Sequence, residues 1–178
     1  CSVLSVEPDA DYNRTVITIA GSPDEVYFAA YKLIESAVEL IDMSKHHGEH
    51  PRLGVVDVCP FIPLNNFTMN ECSSLAEQLA KKVAKELGVS TFLYGYSATH
   101  ADRKLLSTLR KGEYEGLENR LKNGDRDLIL PQVITLGLSF NVIHTYMPSR
   151  TTKEKLNNTQ LMYFVAQEGS LKKESNEE

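Results

Sequence analysis

Two short phrases, Ser22-Pro23-Asp24-Glu25 and Thr68-Met69-Asn70-Glu71, fix where helices begin. In each, a hydroxyl residue can cap the free N–H groups of a first turn, and an acidic residue three places on reaches back to it. Pro23 adds a φ suited to the opening turn. Behind the first phrase, Val26, Ala30, Leu33, Ala37, Leu40 and Ile41 recur at helical spacing, which predicts a helix from Pro23 to about Ile41. Behind the second, Met69, Cys72, Leu75, Leu79, Val83 and Leu87 trace one apolar face, and Gly88 stops it. A helix with one apolar stripe must cover something, and a sheet is the surface it needs here.

The remaining segments supply that sheet. Ser2 to Val6 and Thr15 to Ala20 read as short strands that pair antiparallel across the acidic turn Glu7-Pro8-Asp9-Ala10-Asp11, with Asn13 and Arg14 at the mouth of the hairpin. Leu53 to Cys59 reads as a buried strand interrupted by Asp57, and Val89 to Tyr94 as the next. The order is β-β-α-β-α-β, followed by one short helix within Thr99 to Gly112 and another turn or two from Tyr114 to Lys122. This order predicts an α+β sandwich: one sheet with helices on one face, the other face open as a ligand surface or covered by something else. Leu33, Leu75, Leu79 and Val83 are expected to be buried against the sheet. Beyond Gly124 the pattern weakens. One strand is expected within the apolar stretches Leu128-Ile129-Leu130 and Val133 to Ile143, and Leu171 to Glu178 reads as disordered.

Composition excludes several classes of partner. A chain of 178 residues suggests one domain, or one domain with a tail, and 42% hydrophobic content suffices for a core. A net charge of −5 argues against nucleic acid and anionic membranes as general partners. No apolar run approaches the length of a membrane span. There is no N-terminal signal pattern. Cys1, Cys59 and Cys72 have no metal or redox spacing, and an odd, sparse count fits a reducing compartment such as the cytoplasm. The chain starts at Cys1 and not at methionine, so its natural N-terminus is expected to lie upstream.

Chemistry concentrates between the first helix and the strand at Leu53. The stretch Asp42-Met43-Ser44-Lys45-His46-His47-Gly48-Glu49-His50-Pro51-Arg52 holds three of the five histidines. Imidazole takes and returns protons near neutral pH. Glu49 can orient an imidazole, and Arg52 can grip a carboxylate with two prongs. Pro51 restricts His50 to extended backbone, while Gly48 permits backbone angles that a bulkier residue resists. A solvated loop with surface histidines is the plain alternative. A metal site is disfavoured: His46 and His50 have i, i+4 spacing, but Gly48 and Pro51 interrupt a helix there, and soft Cys-x-x-Cys ligands are absent.

Several phrases together carry a resemblance: Asn13-Arg14-Thr15-Val16, Ile41 to His46, Gly48-Glu49-His50-Pro51-Arg52, Asp57-Val58-Cys59-Pro60-Phe61-Ile62-Pro63, Tyr94-Gly95 and Gly112-Glu113-Tyr114-Glu115. From Cys1 to about Leu121 the chain resembles the N-terminal subdomain of glutamate formimidoyltransferase, the transferase part of formimidoyltransferase–cyclodeaminase. The resemblance implies a ferredoxin-like α+β subdomain, with one mostly antiparallel sheet and helices on one face. It is incomplete at the N-terminus because the family's first strand and helix lie upstream of Cys1. It implies residues 1–124 as that subdomain and residues 125–178 as a divergent, partly disordered tail without the family's folate loop. It also implies transfer of a formimidoyl group from N-formimidoyl-glutamate to N5 of tetrahydrofolate, in histidine catabolism and one-carbon metabolism.

The family's catalytic histidine falls on His50. Glu7, Asn13, Arg14, Arg52 and Asp57 follow as candidate substrate-binding residues: Arg14 and Arg52 for glutamate carboxylates, Glu7 or Asp57 to orient a base or a cationic formimidoyl group. Tetrahydrofolate is the acceptor and no metal is required. A homo-oligomer, or a second subdomain, is expected to complete the site. Two further readings stand beside this one: a non-catalytic paralogue acting as a protein-interaction domain, and a metal-binding domain using His46, His47 and His50.

Overall fold

Ser22 and Thr68 start helices, as their surroundings predict. The Ser22 N–H and hydroxyl both donate to the Glu25 carboxylate at 3.0 Å, and helix α1 runs Pro23–Leu40. The Thr68 N–H and hydroxyl donate to Glu71 at 2.7 and 2.6 Å, and helix α2 runs Met69–Leu87. It ends on Gly88, whose φ of 68° is the left-handed cap geometry that glycine accepts without strain. The computed structural model describes residues 1–123, together with the strand backbone at 128–129, 160–162 and 165–166. Of the two stretches in which a further strand is expected, Leu128–Ile129 is a strand, while Val133 to Ile143 and the chain end at Leu171 to Glu178 lie outside the described residues.

The N-terminal hairpin is present and longer than predicted. Strands β1 (Ser2–Asp9) and β2 (Arg14–Gly21) pair antiparallel from Ser2 opposite Ala20 to Asp9 opposite Arg14, with one irregularity between Val3 and Ser5. Two strand pieces described by their backbone, β5 (Gln160–Met162) and β6 (Val165–Ala166), lie parallel to β2. A second, two-stranded antiparallel sheet joins β3 (Thr91–Phe92) to β4 (Leu128–Ile129).

The architecture is therefore α+β, but the single sheet expected from the sequence is two small ones. The difference lies at Leu53 to Cys59, which is not a strand: it bends, with isolated bridge positions at Val58 and Pro63. The cause is Asp57, whose Oδ1 accepts the Leu53 N–H at 2.9 Å. A side chain that takes a backbone donor locally removes it from a ladder. The apolar residues of the segment still reach the core, because Val55, Val58 and Phe61 are buried.

One core joins these parts. Ile19 of β2 packs with Val26, Ala30, Ile34 and Val38 of α1, Ile41 and Met43 beyond it, Val55 and Phe61, and Cys72, Leu79 and Val83 of α2. Leu79 and Val83 are buried as expected, while Leu33 and Leu75 are half-buried at the edge of this cluster. The stretch after β3 holds two single 3₁₀ turns, Gly95–Ser97 and Ala101–Arg103, and the four-residue helix α3 (Leu106–Leu109) instead of one short helix. Leu109 of α3 is buried and Leu105 is exposed. Gly112, with φ 84°, turns the chain into α4 (Glu113–Lys122). No helix among the described residues is long and apolar enough to cross a membrane.

Candidate active site

The end of α1 leads directly into the histidine stretch. Asp42 caps a 3₁₀ turn, Met43–Lys45, by accepting from the Ser44 N–H at 3.1 Å and the Ser44 hydroxyl at 2.6 Å. The Ser44 hydroxyl, with help from Lys45, holds the Asp42 carboxyl below its ordinary pKa despite burial. Met43, at 3% exposed, anchors the turn in the core. The loop that follows has its start fixed by both polar and apolar contacts.

The hairpin turn lies against this loop. Asn13 takes a left-handed φ of 47°, a geometry that asparagine tolerates. Its Nδ2 donates to the His47 carbonyl at 2.7 Å, and the Glu49 N–H donates to the Asp11 carbonyl at 3.1 Å. A Cβ on Gly48 would run into the Tyr12 carbonyl oxygen and stand 2.8 Å from the Asn13 Cβ. Gly48 is therefore required for close approach and not for an unusual backbone angle.

His46 is the innermost of the three histidines, at 1% exposed. Arg52 Nε donates to its Nδ1 at 3.2 Å. Because guanidinium only donates, Nδ1 is the acceptor, and the ring proton sits on Nε2, which donates to the Asn13 carbonyl at 2.9 Å. Burial, the foremost cause, pushes the His46 pKa below its ordinary value; the Asn13 carbonyl opposes this and the Arg52 charge reinforces it. The rest of the Arg52 fork is also engaged: Nη2 donates to the His46 carbonyl at 3.1 Å, and the two Nη atoms meet Glu115 at 2.8 and 3.2 Å and Glu113 at 3.4 Å. Hydrogen bonding from Arg52 holds the Glu115 carboxyl below its ordinary pKa.

His50 is 8% exposed, and its Nε2 lies 3.1 Å from Asp57 Oδ2. The Tyr12 ring stands edge-on to it, with centroids 6.4 Å apart and planes at 79°. Among the described residues, Nδ1 of His50 has no hydrogen-bond partner, so one ring nitrogen is oriented and the other is left for chemistry. The Asp57 side chain is 0% exposed, and its Oδ2 also receives the Arg110 guanidinium. Such a pair can move a proton without moving a side chain.

The structure brings together some of the residues singled out in the sequence and not others. His50 and Asp57 touch. Asn13 ties the hairpin to the loop. Arg14 lies over the Tyr12 ring at 5.2 Å, and the same ring stands edge-on to His50. Arg52 braces His46 and meets two glutamates. Glu7 is exposed on β1 opposite Val16 and makes no hydrogen bond or ion pair among the described residues. No group of three or more His, Cys, Asp or Glu side chains is arranged to hold a metal ion among the described residues.

Arg110 and Tyr12 were not singled out from the sequence. Arg110 sits at the end of a four-residue helix and looks like an ordinary surface cation; only its 53-residue reach back to Asp57 marks it. An open basin of about 700 Å³ is bordered by Pro51, Arg52, Ser107, Arg110, Lys111 and Glu115. An apolar cavity of about 360 Å³, lined in part by Leu53, Val58, Phe61 and Leu109, reaches Asp57 from the core side.

Comparison with known proteins adds a family to this geometry. Residues 1–136 match the model of the formiminotransferase domain, N-terminal subdomain. The chain is 48% identical over 122 residues to a formimidoyltransferase-cyclodeaminase of Dictyostelium discoideum, covering 68% of this chain and 23% of that protein. It is 47% identical over 125 residues to that of Sus scrofa, covering 70% of this chain and 23% of that protein. It is 44% identical over 124 residues to a glutamate formimidoyltransferase of Streptococcus pyogenes serotype M1, covering 70% of this chain and 42% of that protein. The matched part thus spans under half the length of each of these relatives.

Proposed function

The chain belongs to the formiminotransferase N-terminal subdomain family, a family of transferases, and on that premise we propose that it carries the acid–base centre of a formimidoyl transfer, with His50 as the proton-transfer group. The donor in this reading is N-formimidoyl-glutamate and the acceptor is tetrahydrofolate. As N5 of the folate attacks the formimidoyl carbon, it loses a proton to His50; as the C–N bond to glutamate breaks, His50 returns that proton to the departing amine. One imidazole serves both steps because they occur in sequence. The observation that supports this most is the buried His50–Asp57 pair. Asp57 holds Nε2, so Nδ1 is the nitrogen that meets the substrate.

The other assignments follow from this reading. Tyr12 and Arg14 form a wall beside His50, and the Arg14 guanidinium is the group we assign to a substrate carboxylate. Arg52 serves the loop more than the substrate, because its donors face His46, Glu113 and Glu115. Ferredoxin-like packing, completed by a second subdomain or a second copy that closes a folate channel, is the arrangement we propose for the whole protein. It is supported by two capped helices and a hairpin sharing one core. No metal takes part in this mechanism. Cys1, Cys59 and Cys72 are unpaired, which supports a cytoplasmic setting for histidine breakdown.

Substitution of His50 tests the reading. In a full-length protein carrying this segment, His50→Ala lowers the transfer rate about 10²–10⁴-fold, the scale of a general acid–base residue. The melting temperature moves little. His46→Ala, by contrast, removes a buried brace and lowers the melting temperature. Transfer by His50→Ala within a few-fold of the parent protein overturns the assignment.

A further inference from the structure

We propose that Arg110 is a positioning residue for His50, acting through Asp57: it fixes the carboxylate that orients the imidazole and shares the negative charge that would otherwise keep a proton on the ring. This rests on the reading of His50 as the proton-transfer group.

The Asp57 side chain is wholly buried. A buried carboxylate needs both hydrogen bonds and a counter-charge. Its Oδ1 has the Leu53 N–H. Its Oδ2 has two partners, His50 Nε2 at 3.1 Å and the Arg110 guanidinium. Only one of these partners has a fixed charge, because arginine stays protonated while histidine titrates. With Arg110 in place, Asp57 is neutralised whichever form His50 takes, and the imidazole is free to gain and lose its proton. Without Arg110, Asp57 is neutralised either by holding His50 as imidazolium, a base that cannot give up its proton, or by taking up a proton itself, after which it no longer accepts from Nε2 and no longer presents Nδ1 as the base.

Arg110 is placed for this task by its backbone. Its N–H donates to the Leu106 carbonyl at 2.9 Å, and its carbonyl accepts from Glu113 at 2.7 Å. Its Nε is buried without a hydrogen-bond partner among the described residues, and its Nη2 donates to Asp57. The groups that face the His50 ring are Asp57 from the bent segment, Tyr12 from the hairpin turn and His46 from the same loop, with Arg110 behind Asp57. The fixed cations nearby are Arg14, which lies over the Tyr12 ring, Arg52, which is engaged with His46 and Glu115, and Arg110, which meets Asp57 itself.

The test follows the His50 imidazole by nuclear magnetic resonance through a pH titration of the 178-residue chain, which needs no turnover. Arg110→Gln moves the His50 titration midpoint up by about one pH unit, and Arg110→Lys returns most of that shift. Asp57→Asn moves it down. The double variant Asp57→Asn with Arg110→Gln removes both buried charges and so stays folded where Arg110→Gln alone does not. Relative to Asp57→Asn its midpoint rises by less than Arg110→Gln raises that of the parent chain, because only the direct repulsion between guanidinium and imidazolium is left to remove. In a full-length transferase, Arg110→Gln shifts the acidic limb of the pH–rate profile upward and lowers kcat about 10-fold at neutral pH with KM little changed. A His50 midpoint in folded Arg110→Gln equal to that of the parent chain overturns the proposal. So does a double variant that departs from Asp57→Asn as far as Arg110→Gln departs from the parent chain. If His50→Ala leaves transfer intact while these midpoints move as stated, the coupling stands and the catalytic reading of His50 falls.

Discussion

At the scale of the residue, each histidine of the loop has a different situation. His47 is exposed, His50 is held by Asp57 on one side, and His46 is locked into one tautomer by Arg52 and the Asn13 carbonyl. The His46 pKa is lowered in the folded protein, so above about pH 6.5 the ring is neutral both folded and unfolded. Below that value the unfolded chain takes up a proton that the native state refuses, because protonating Nδ1 would set it against Arg52. Stability from this group is therefore present above about pH 6.5 and lost as the pH falls towards the folded value. The urea midpoint is expected to drop between about pH 7.5 and about pH 5.5, and the drop is expected to shrink in His46→Gln, whose amide can make both bonds without titrating. An unchanged pH dependence in that variant would remove His46 as its source. The sequence set His50 apart, through Pro51 and the family resemblance, but gave no sign that His46 is buried and locked or that His47 is exposed. What separates them is which distant backbone each one meets.

At the scale of the element, the helices were legible and the third strand was not. Caps and apolar periodicity are local, so Ser22, Thr68 and Gly88 mark helix ends that the structure reproduces within a residue or two. Leu53 to Cys59 carries the composition of a buried strand, yet Asp57 draws its own segment into a bend and gathers Leu53, His50 and Arg110 around one carboxylate. Two of those three commitments reach beyond the segment, and composition does not record them. The helix register makes a direct prediction. Leu79 on α2 is 4% exposed in the shared core, so Leu79→Ala is expected to cost about 2–5 kcal/mol of unfolding free energy from lost burial and the cavity left behind. A urea titration showing a loss below about 1 kcal/mol would mean that the site collapses around the gap or that the register is wrong.

At the scale of the whole molecule, the hairpin has two unlike strands. Among the described residues β2 is paired on both sides and β1 is an edge, whose Val3, Leu4 and Val6 are 63%, 58% and 58% exposed. An exposed apolar edge offers unpaired backbone to another copy. The average mass by sedimentation equilibrium is therefore expected to rise with concentration, and Val6→Lys is expected to suppress that rise; a strictly monomeric parent chain would show that the edge is inert. The same hairpin has a second consequence. Its turn reaches the histidine loop through Asn13 and His47, 34 residues apart, and Arg110 reaches Asp57 from 53 residues away. The imidazole's surroundings are thus assembled from chain segments that helix formation alone does not bring together, and loops of that length close only after local structure has formed. The contacts around His50 are therefore expected to form after the two long helices, and on partial opening to be lost while those helices still stand.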